Sequence, residues 1–299
     1  MATKIWVGTD GGNEGDWDTA ANWSPSGVPG SATVDDIYFE NSSQSVTEGF
    51  DQTAMGNMSS LNIDQSYTGS IGTDSVALQI ETPTLNIGYH NGPGTPGGSP
   101  LINIDLGTDA TAITVTNTGT SADTSRAPVR LKGSSGDNDL TLYKGKVAFG
   151  TDTDDTTSQL RNVTVSYATQ VATDADLFIG SLATVVDLLD IWGGDVYLEI
   201  GATEVNIKNG TLYTTGAGTL AELNVNGGTV TPNSTGTIAL LYIFDGSGVV
   251  DFTKSNDGRT VTTAKLDPGG KLSFDASVVA FTNSIQPYTP ARNVTYTAS

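Results

Sequence analysis

Three successive stretches carry the same short pattern: LDIWGGDVYL (189–198), VNIKNGTLYT (205–214) and LNVNGGTVTP (223–232). In each, two apolar residues alternate with polar ones, a glycine follows two turn-like residues, and apolar alternation then resumes. Alternation with a period of two places the apolar side chains on one face of a short strand, and glycine permits the bend between strands. Each stretch therefore predicts one corner of a coil.

The spacing of these glycines favours a solenoid. Gly194, Gly210, Gly228 and Gly246 follow one another at steps of 16, 18 and 18 residues, close to one turn of a parallel β-helix. A hairpin sandwich would also contain short strands and glycine turns, but nothing obliges its turns to keep so steady a spacing. We predict an all-β, single-stranded parallel β-solenoid, with further copies of the pattern around Gly145 and Gly269.

One segment of the repeat region fits two structures. The apolar residues of 181–191, among them Leu182, Val185 and Leu189, satisfy helical spacing as well as strand alternation. A short helix therefore remains an alternative there, and we predict a strand.

The first 45 residues differ from the rest, since they hold Trp6, Trp17 and Trp23 among Gly, Pro and Asx turns. A solenoid needs its first coil covered, because an open end exposes apolar interior and unpaired strand edges. We predict a Trp-rich cap over residues 1–45, a solenoid body over 46–283 and a C-terminal tail over 284–299. The alternative for Trp17 and Trp23 is stacking on a sugar ring.

The motifs of this N-terminal region are familiar as a set. They run Trp6-Val7-Gly8, Gly15-Asp16-Trp17, Ala21-Asn22-Trp23-Ser24, Gly27-Val28-Pro29 and Asp35-Asp36-Ile37-Tyr38-Phe39, followed by SLNIDQSYTG at 60–69. The chain resembles β-helical decoration or cement proteins encoded by tailed bacteriophages, and also autotransporter-like bacterial surface proteins. The phage resemblance implies a homotrimer that binds the major capsid protein on the capsid exterior.

Charge and composition exclude several classes of partner and site. The net charge of −20 disfavours unaided binding to nucleic acid or to an anionic membrane. The chain has no cysteine, which excludes disulfides and cysteine-ligated metals. The first ten residues, MATKIWVGTD, lack the basic and apolar regions of a secretory signal, which leaves assembly inside a cell, export by a signal-independent route, or a mature fragment as alternatives. Together with the phage resemblance, this leads us to expect assembly in the host cytoplasm and a location on the virion.

The residue types needed for catalysis form no recognisable pattern. The single histidine, His90, is interpreted as a surface-loop residue beside the Gly/Pro segment 91–100, and without it no Ser-His-Asp triad can form. Asp187, Asp190 and Glu199 flank a repeat copy, but carboxylates are too common here for any pair to indicate glycoside hydrolysis. The arginines are scattered, at Arg126, Arg130, Arg161, Arg259 and Arg292.

Two acidic runs could supply oxygen ligands to Ca²⁺. They comprise Asp152, Asp154 and Asp155, and Asp10, Glu14, Asp16 and Asp18. Neither follows the order of an EF-hand loop, so we interpret both as solvated turns. We predict no catalytic, cofactor or metal site.

The leading hypothesis is a structural protein that stabilises a phage head by binding the capsid exterior. The alternative is a carbohydrate-binding or depolymerising β-helix, either associated with a phage tail or acting as a cell-surface adhesin.

Overall fold

The computed structural model of the chain describes residues 2–31, 34–52, 58–88, 101–116, 127–151, 158–166, 175–244, 247–254, 258–287 and 297–298. It divides into two compact units, Met1–Gln159 and Leu160–Ser299. The predicted three-part division at residues 45 and 283 stays a prediction, and the loop 91–100 lies outside the described residues.

The first unit distributes its strands between two sheets. One sheet has the order β2-β1-β3-β4-β6-β8-β10, the other the order β5-β7-β9-β11, and all described pairs are parallel except β1 with β2. The bounds are β1 Ala2–Trp6, β2 Trp23–Ser24, β3 Asp35–Phe39, β4 Met58–Ile63, β5 Leu78–Gln79, β6 Thr84–Ile87, β7 Ile102–Asp105, β8 Ala112–Val115, β9 Val129–Lys132, β10 Asp139–Leu142 and β11 Gly145–Phe149.

The second unit repeats this arrangement with parallel pairing throughout the described strands. Its sheets have the orders β12-β14-β16-β18-β20-β22-β24, with β25 on β22, and β13-β15-β17-β19-β21-β23-β26. The bounds are β12 Asn162–Val165, β13 Ala175–Ile179, β14 Val186–Ile191, β15 Asp195–Leu198, β16 Ala202–Ile207, β17 Thr211–Thr214, β18 Leu220–Val225, β19 Thr229–Pro232, β20 Ile238–Ile243, β21 Val249–Asp251, β22 Arg259–Leu266, β23 Lys271–Phe274, β24 Val279–Phe281, β25 Gln286–Pro287 and β26 Thr297–Ala298.

From β4 to β11 in the first unit and from β12 to β24 in the second, successive strands alternate between two sheets, and the pairs that these strands form within each sheet are parallel, which is the path of a solenoid. The predicted parallel β-solenoid is confirmed, and so is the strand at Val186–Ile191 where a helix was the alternative. Of the predicted tail, Gln286–Pro287 pairs with β22 and Thr297–Ala298 pairs with β23. These described parts of the tail therefore belong to the sheets of the second unit.

The repeated glycines Gly194, Gly210 and Gly228 are corners of the coil, as predicted, while Gly246 lies outside the described residues. Gly194, Gly210 and Gly228 have φ of 77°, 83° and 67°, a region that other residues rarely adopt. They also stack, because a Cβ on Gly210 would collide with the carbonyl oxygen of Gly194 and one on Gly228 with that of Gly210. Gly145 and Gly269 share the positive φ, at 97° and 103°. The corner thus requires glycine for both its conformation and its close backbone stacking.

The core of the second unit consists of ladders of apolar side chains. Leu189, Val205, Leu223 and Leu241 are register partners on four neighbouring strands, and all are fully buried. Burying a side chain of this size contributes about 1.5–3 kcal/mol. Their polar neighbours along each strand consequently face outward, and these outward rows form the surface described below.

The predicted cap is an aromatic cluster. Trp6, Trp17 and Trp23 are 0%, 0% and 2% exposed, and all three pack on Phe39 of β3. Phe39 in turn packs on Tyr67, beyond residue 45. The rings of Trp17 and Trp23 meet edge to face with centroids 4.7 Å apart, a favourable aromatic geometry. The indole nitrogens of Trp6 and Trp23 donate to the carbonyl oxygens of Gln44 and Trp17, both at 2.8 Å.

Candidate functional site

The outward face of the second unit carries a row of linked amide and carboxylate side chains. Asp190, Asn206 and Asn224 are register partners on β14, β16 and β18. The side-chain nitrogen of Asn206 donates to Asp190 Oδ1 at 3.0 Å, and that of Asn224 donates to Asn206 Oδ1 at 3.0 Å. Asn206 therefore bonds to both neighbouring coils, since its nitrogen donates to Asp190 on the preceding coil and its oxygen accepts from Asn224 on the next coil.

A second row of carboxylates lies beside the first. Glu204 and Glu222 are register partners on β16 and β18. Asn206 donates to Glu204 Oε1 at 2.8 Å, and Asn224 donates to Glu222 Oε1 at 2.9 Å. We call these five residues, Asp190, Glu204, Asn206, Glu222 and Asn224, the polar ladder. Like charges placed opposite each other repel, and the amides offset that repulsion by donating to them.

The polar ladder holds two carboxylates on adjacent strands, which is a minimum requirement for glycoside hydrolysis. Hydrolysis further requires one carboxyl group to act as an acid, which apolar surroundings favour. Glu204 and Glu222 are both half-exposed and each accepts an amide hydrogen bond. Their surroundings suit two charged carboxylates, so the arrangement is better matched to recognition than to acid–base chemistry.

Two lysines lie over aromatic rings on the same face. Lys208 Nζ is 5.8 Å from the ring centre of Trp192, and Lys265 Nζ is 5.2 Å from that of Tyr242. A cation over an aromatic ring at this distance is attracted by about 0.5–1 kcal/mol at an exposed site. The lysines therefore add localised positive charges next to the negative polar ladder.

The other sheet of the second unit carries a stack of outward aromatic rings. Phe178, Tyr197 and Tyr213 lie on β13, β15 and β17 with ring centroids 4.5 and 4.8 Å apart and planes within 3° and 10° of parallel. We call these three residues the tyrosine stack. Desolvation, followed by the charge of Asp195, raises the pKa of Tyr197. Because Tyr197 is covered on both ring faces by its neighbours, it presents its edge and hydroxyl to solvent.

The predicted cap residues supply no sugar platform. Trp17 and Trp23 are buried in the aromatic cluster at 0% and 2% exposure. Sugar stacking needs a ring face open to solvent, so the stacking alternative is wrong for both residues. The structural cap is confirmed.

The carboxylates and arginines noted in the sequence do not converge on one site within the described residues. Asp190 belongs to the polar ladder, Asp187 is exposed, and Glu199 accepts a hydrogen bond from the Ser181 amide at 3.0 Å. Arg130 pairs with Asp74 at 3.1 Å. Arg161 is half-buried and Arg259 is buried at the start of β22. His90, Arg126, Arg292, Asp152, Asp154 and Asp155 lie outside the described residues.

The N-terminal acidic run consists of turn residues. Asp16 accepts hydrogen bonds from the Asp18 amide at 3.0 Å and from Thr19 Oγ1 at 2.9 Å, and Asp18 accepts one from Gln52 Nε2 at 2.9 Å. In the part of the chain that the structure describes, no group of three or more His, Cys, Asp or Glu side chains could hold a metal ion. The carboxylates of this run instead fix the turns that lead into the cap.

The polar ladder, the tyrosine stack and the surroundings of Arg259 were not predicted from the sequence. The polar ladder has a signal in hindsight, because Glu-x-Asn recurs at Glu204 and Glu222 with the 18-residue period of the coil. No sequence signal marks the surroundings of Arg259. Thr214, Ser234 and Arg259 lie on three coils and approach one another only because of the register of the strands.

Among the described residues, no helix has the length and apolar character required to cross a membrane. Comparison of the chain with models of protein families, with curated proteins and with solved structures gives no match.

Proposed function

We propose that this chain is a non-catalytic structural protein of a bacteriophage virion, which binds the major capsid protein on the outside of the head. In this proposal it acts as a homotrimer, is assembled in the host cytoplasm and strengthens the capsid by bridging neighbouring capsomers. The N-terminal motifs quoted above support the family, and the surface of the second unit supports the mode of binding.

The observation that carries the proposal is the polar ladder. Its asparagines and carboxylates are held by hydrogen bonds of 2.8–3.0 Å to one another. Side chains that are already fixed lose little conformational freedom when a partner binds, which favours affinity. A surface preorganised in this way is suited to docking against another protein.

The charges near the polar ladder favour local complementarity. With a net charge of −20, long-range attraction to another acidic surface is unfavourable. Lys208 and Lys265, held over Trp192 and Tyr242, offer cations at defined positions beside the carboxylates. Pairs of opposite charges across an interface fix the alignment of the two proteins. We expect such a contact to tolerate moderate salt.

Stabilisation of a head would come from many copies acting together. Each subunit of a symmetric assembly presents the same surface, and linked contacts raise the overall affinity well above that of one contact. Weak individual contacts are therefore sufficient for a protein whose role is to hold capsomers together against internal pressure.

The experiment is cosedimentation of the purified protein with capsids that lack it, across a salt series. We expect binding to persist at salt concentrations that leave the protein folded. A variant with Glu204→Lys and Glu222→Lys should bind at least tenfold more weakly, while the matched variant with Asp176→Lys and Asp195→Lys on the other sheet should bind as the unaltered protein does. Release of the unaltered folded protein by moderate salt, or equal binding by both variants, would argue against the proposal.

The tyrosine stack favours a second candidate function, binding of a bacterial surface polysaccharide. Tyr197 and Tyr213 present hydroxyl edges next to Asp195, and hydroxyl and carboxylate groups can hydrogen-bond to sugars. Incubation with bacterial polysaccharide separates the possibilities. Shortened chains would indicate a depolymerase, and retention of intact chains would indicate a binding protein. If the protein neither shortened nor retained the chains, polysaccharide binding would be ruled out.

A further inference from the structure

Arg259 is a buried cation in the second unit. Its side chain is 4% exposed, its Nε donates to the Ser234 carbonyl oxygen at 2.8 Å, and its Nη2 donates to Ser234 Oγ. Its remaining nitrogen, Nη1, is buried and has no hydrogen-bond partner among the described residues. A guanidinium group that is turned away from water normally uses all of its donors.

Two hydroxyl groups extend this excess of donors. Ser234 Oγ lies 2.8 Å from Thr214 Oγ1, and both residues are 1% exposed. The two hydroxyls carry two hydrogens, of which one is shared between them, and Ser234 Oγ also accepts from Arg259. One hydroxyl hydrogen of this pair therefore remains without an acceptor among the described residues, on the pair that Arg259 Nη2 also contacts.

The positive charge of Arg259 also lacks a partner of opposite charge among the described residues. In the described part of the chain no carboxylate lies within ion-pair distance of it, and its Cζ lies 5.8 Å from the centre of the Phe252 ring. Burial lowers the pKa of Arg259 to about 10, so the group remains protonated at neutral pH. A buried charge is strongly unfavourable unless an opposite charge accompanies it.

We propose that Arg259, Ser234 and Thr214 form an internal site for one small monovalent anion, of which chloride is the physiological example. The groups present are donors, so the guest must be an acceptor. One positive charge calls for one negative charge, and the enclosed position favours a monatomic ion over phosphate or sulfate. A water molecule is the alternative guest, but it would leave the charge unbalanced.

Crystals of the full chain grown with bromide in place of chloride test the site directly. We expect an anomalous difference peak within hydrogen-bonding reach of Arg259 Nη1 and of the Thr214–Ser234 pair. A peak-free position, or an ordered water without anomalous signal, would overturn the proposal whatever the behaviour of any variant.

Thermal unfolding in chloride and gluconate mixtures of constant ionic strength gives an independent test. A ligand that binds only the folded state raises the unfolding midpoint with its concentration, here by about 2–5 °C for each tenfold increase above the dissociation constant. Arg259→Met should abolish the response, whereas Arg130→Met, which removes an equivalent charge paired with Asp74 at the surface, should retain it.

A milder variant keeps the second test decisive if Arg259→Met does not fold. Thr214→Val removes one hydroxyl and keeps the arginine, so it should weaken the chloride response without abolishing it. An identical chloride response in the unaltered protein and in the Arg259 or Thr214 variant would contradict the proposal.

Discussion

Asn206 donates its side-chain amide hydrogen bond to Asp190 Oδ1 at 3.0 Å across two neighbouring parallel strands. The same nitrogen also reaches Glu204 Oε1 at 2.8 Å. One neutral amide thus separates two carboxylates that would otherwise repel each other. This relationship gives the outer surface of the second unit its fixed geometry, and it can be tested by removing the donor alone.

Asn206→Asp keeps the size of the side chain and replaces its donor by a carboxylate oxygen. The variant should lose both hydrogen bonds and place a third negative charge between Asp190 and Glu204. We expect the free energy of unfolding to fall by about 1–3 kcal/mol, measured by denaturant unfolding at neutral pH. Asn226→Asp adds the same charge at a nearby position after β18 and should change stability by less than about 0.5 kcal/mol. Comparable losses in the two variants would show that the amide hydrogen bonds of Asn206 do not stabilise the fold.

Gly210→Ala tests the glycine corner. The residue has φ of 83°, and an added Cβ would collide with the carbonyl oxygen of Gly194 on the preceding coil. The left-handed conformation alone predicts a loss of about 1–3 kcal/mol. Gly11→Ala is the matched control, because a Cβ there meets nothing within 4 Å. Thermal unfolding of both variants should show a clear loss for Gly210 and almost none for Gly11.

Trp17→Ala tests the cap. Trp17 is fully buried among Trp23 and Phe39, and removal of a buried aromatic side chain costs about 3–5 kcal/mol. Trp192→Ala, at a half-exposed position, removes mainly a contact with Lys208 worth about 0.5–1 kcal/mol. Urea unfolding followed by tryptophan fluorescence compares the two. If Trp17 could be removed at no greater cost than Trp192, it would not be part of a structural cap.

Asp36 gives the first unit a predictable response to acid. Ser59 Oγ and Ser60 Oγ donate to Asp36 Oδ1 at 2.6 and 2.8 Å, and these hydrogen bonds lower the pKa of Asp36 below the ordinary value of an aspartate. A carboxyl group whose pKa is lower in the folded state stabilises the fold above its unfolded pKa, and this stability is lost as pH falls through the folded pKa.

Ser60→Ala should therefore raise the pKa of Asp36 towards its ordinary value and reduce stability at neutral pH. The difference from the unaltered protein should shrink at pH values below the folded pKa, where Asp36 is protonated in both. NMR titration of the Asp36 carboxyl carbon measures the pKa, and Asp36→Asn provides a protein without the titrating group. An unchanged Asp36 pKa in Ser60→Ala would show that the hydroxyl is not the cause.

The repeat of the second unit could be predicted because its coils are short and regular. Hydrogen-bonded ladder partners there lie 16 and 18 residues apart, at Asp190–Asn206 and Asn206–Asn224. These are also the steps of Gly194, Gly210 and Gly228, so inward apolar residues and corners recur in phase. The short apolar run at 181–191 was ambiguous by periodicity alone, and pairing with neighbouring coils makes Val186–Ile191 a strand.

The coils of the first unit are longer and obscured the same arrangement. Asn62 and Asn86 form an equivalent amide contact 24 residues apart, and Thr111 and Asn138 are joined across 27. Because the loops between these strands vary in length, the inward apolar residues of the first unit do not recur at a constant spacing in the sequence. The environment of Arg259 was beyond prediction for a related reason, since Thr214 and Ser234 approach it only through the stacking of three coils.

The most direct test of the proposed role is electron cryomicroscopy of phage particles with and without this protein. We expect repeated β-solenoid density on the capsid exterior that disappears when the protein is absent, with the polar ladder of the second unit at the contact with the capsid. Identical capsid surfaces in the two reconstructions, or solenoid density confined to the tail, would contradict it.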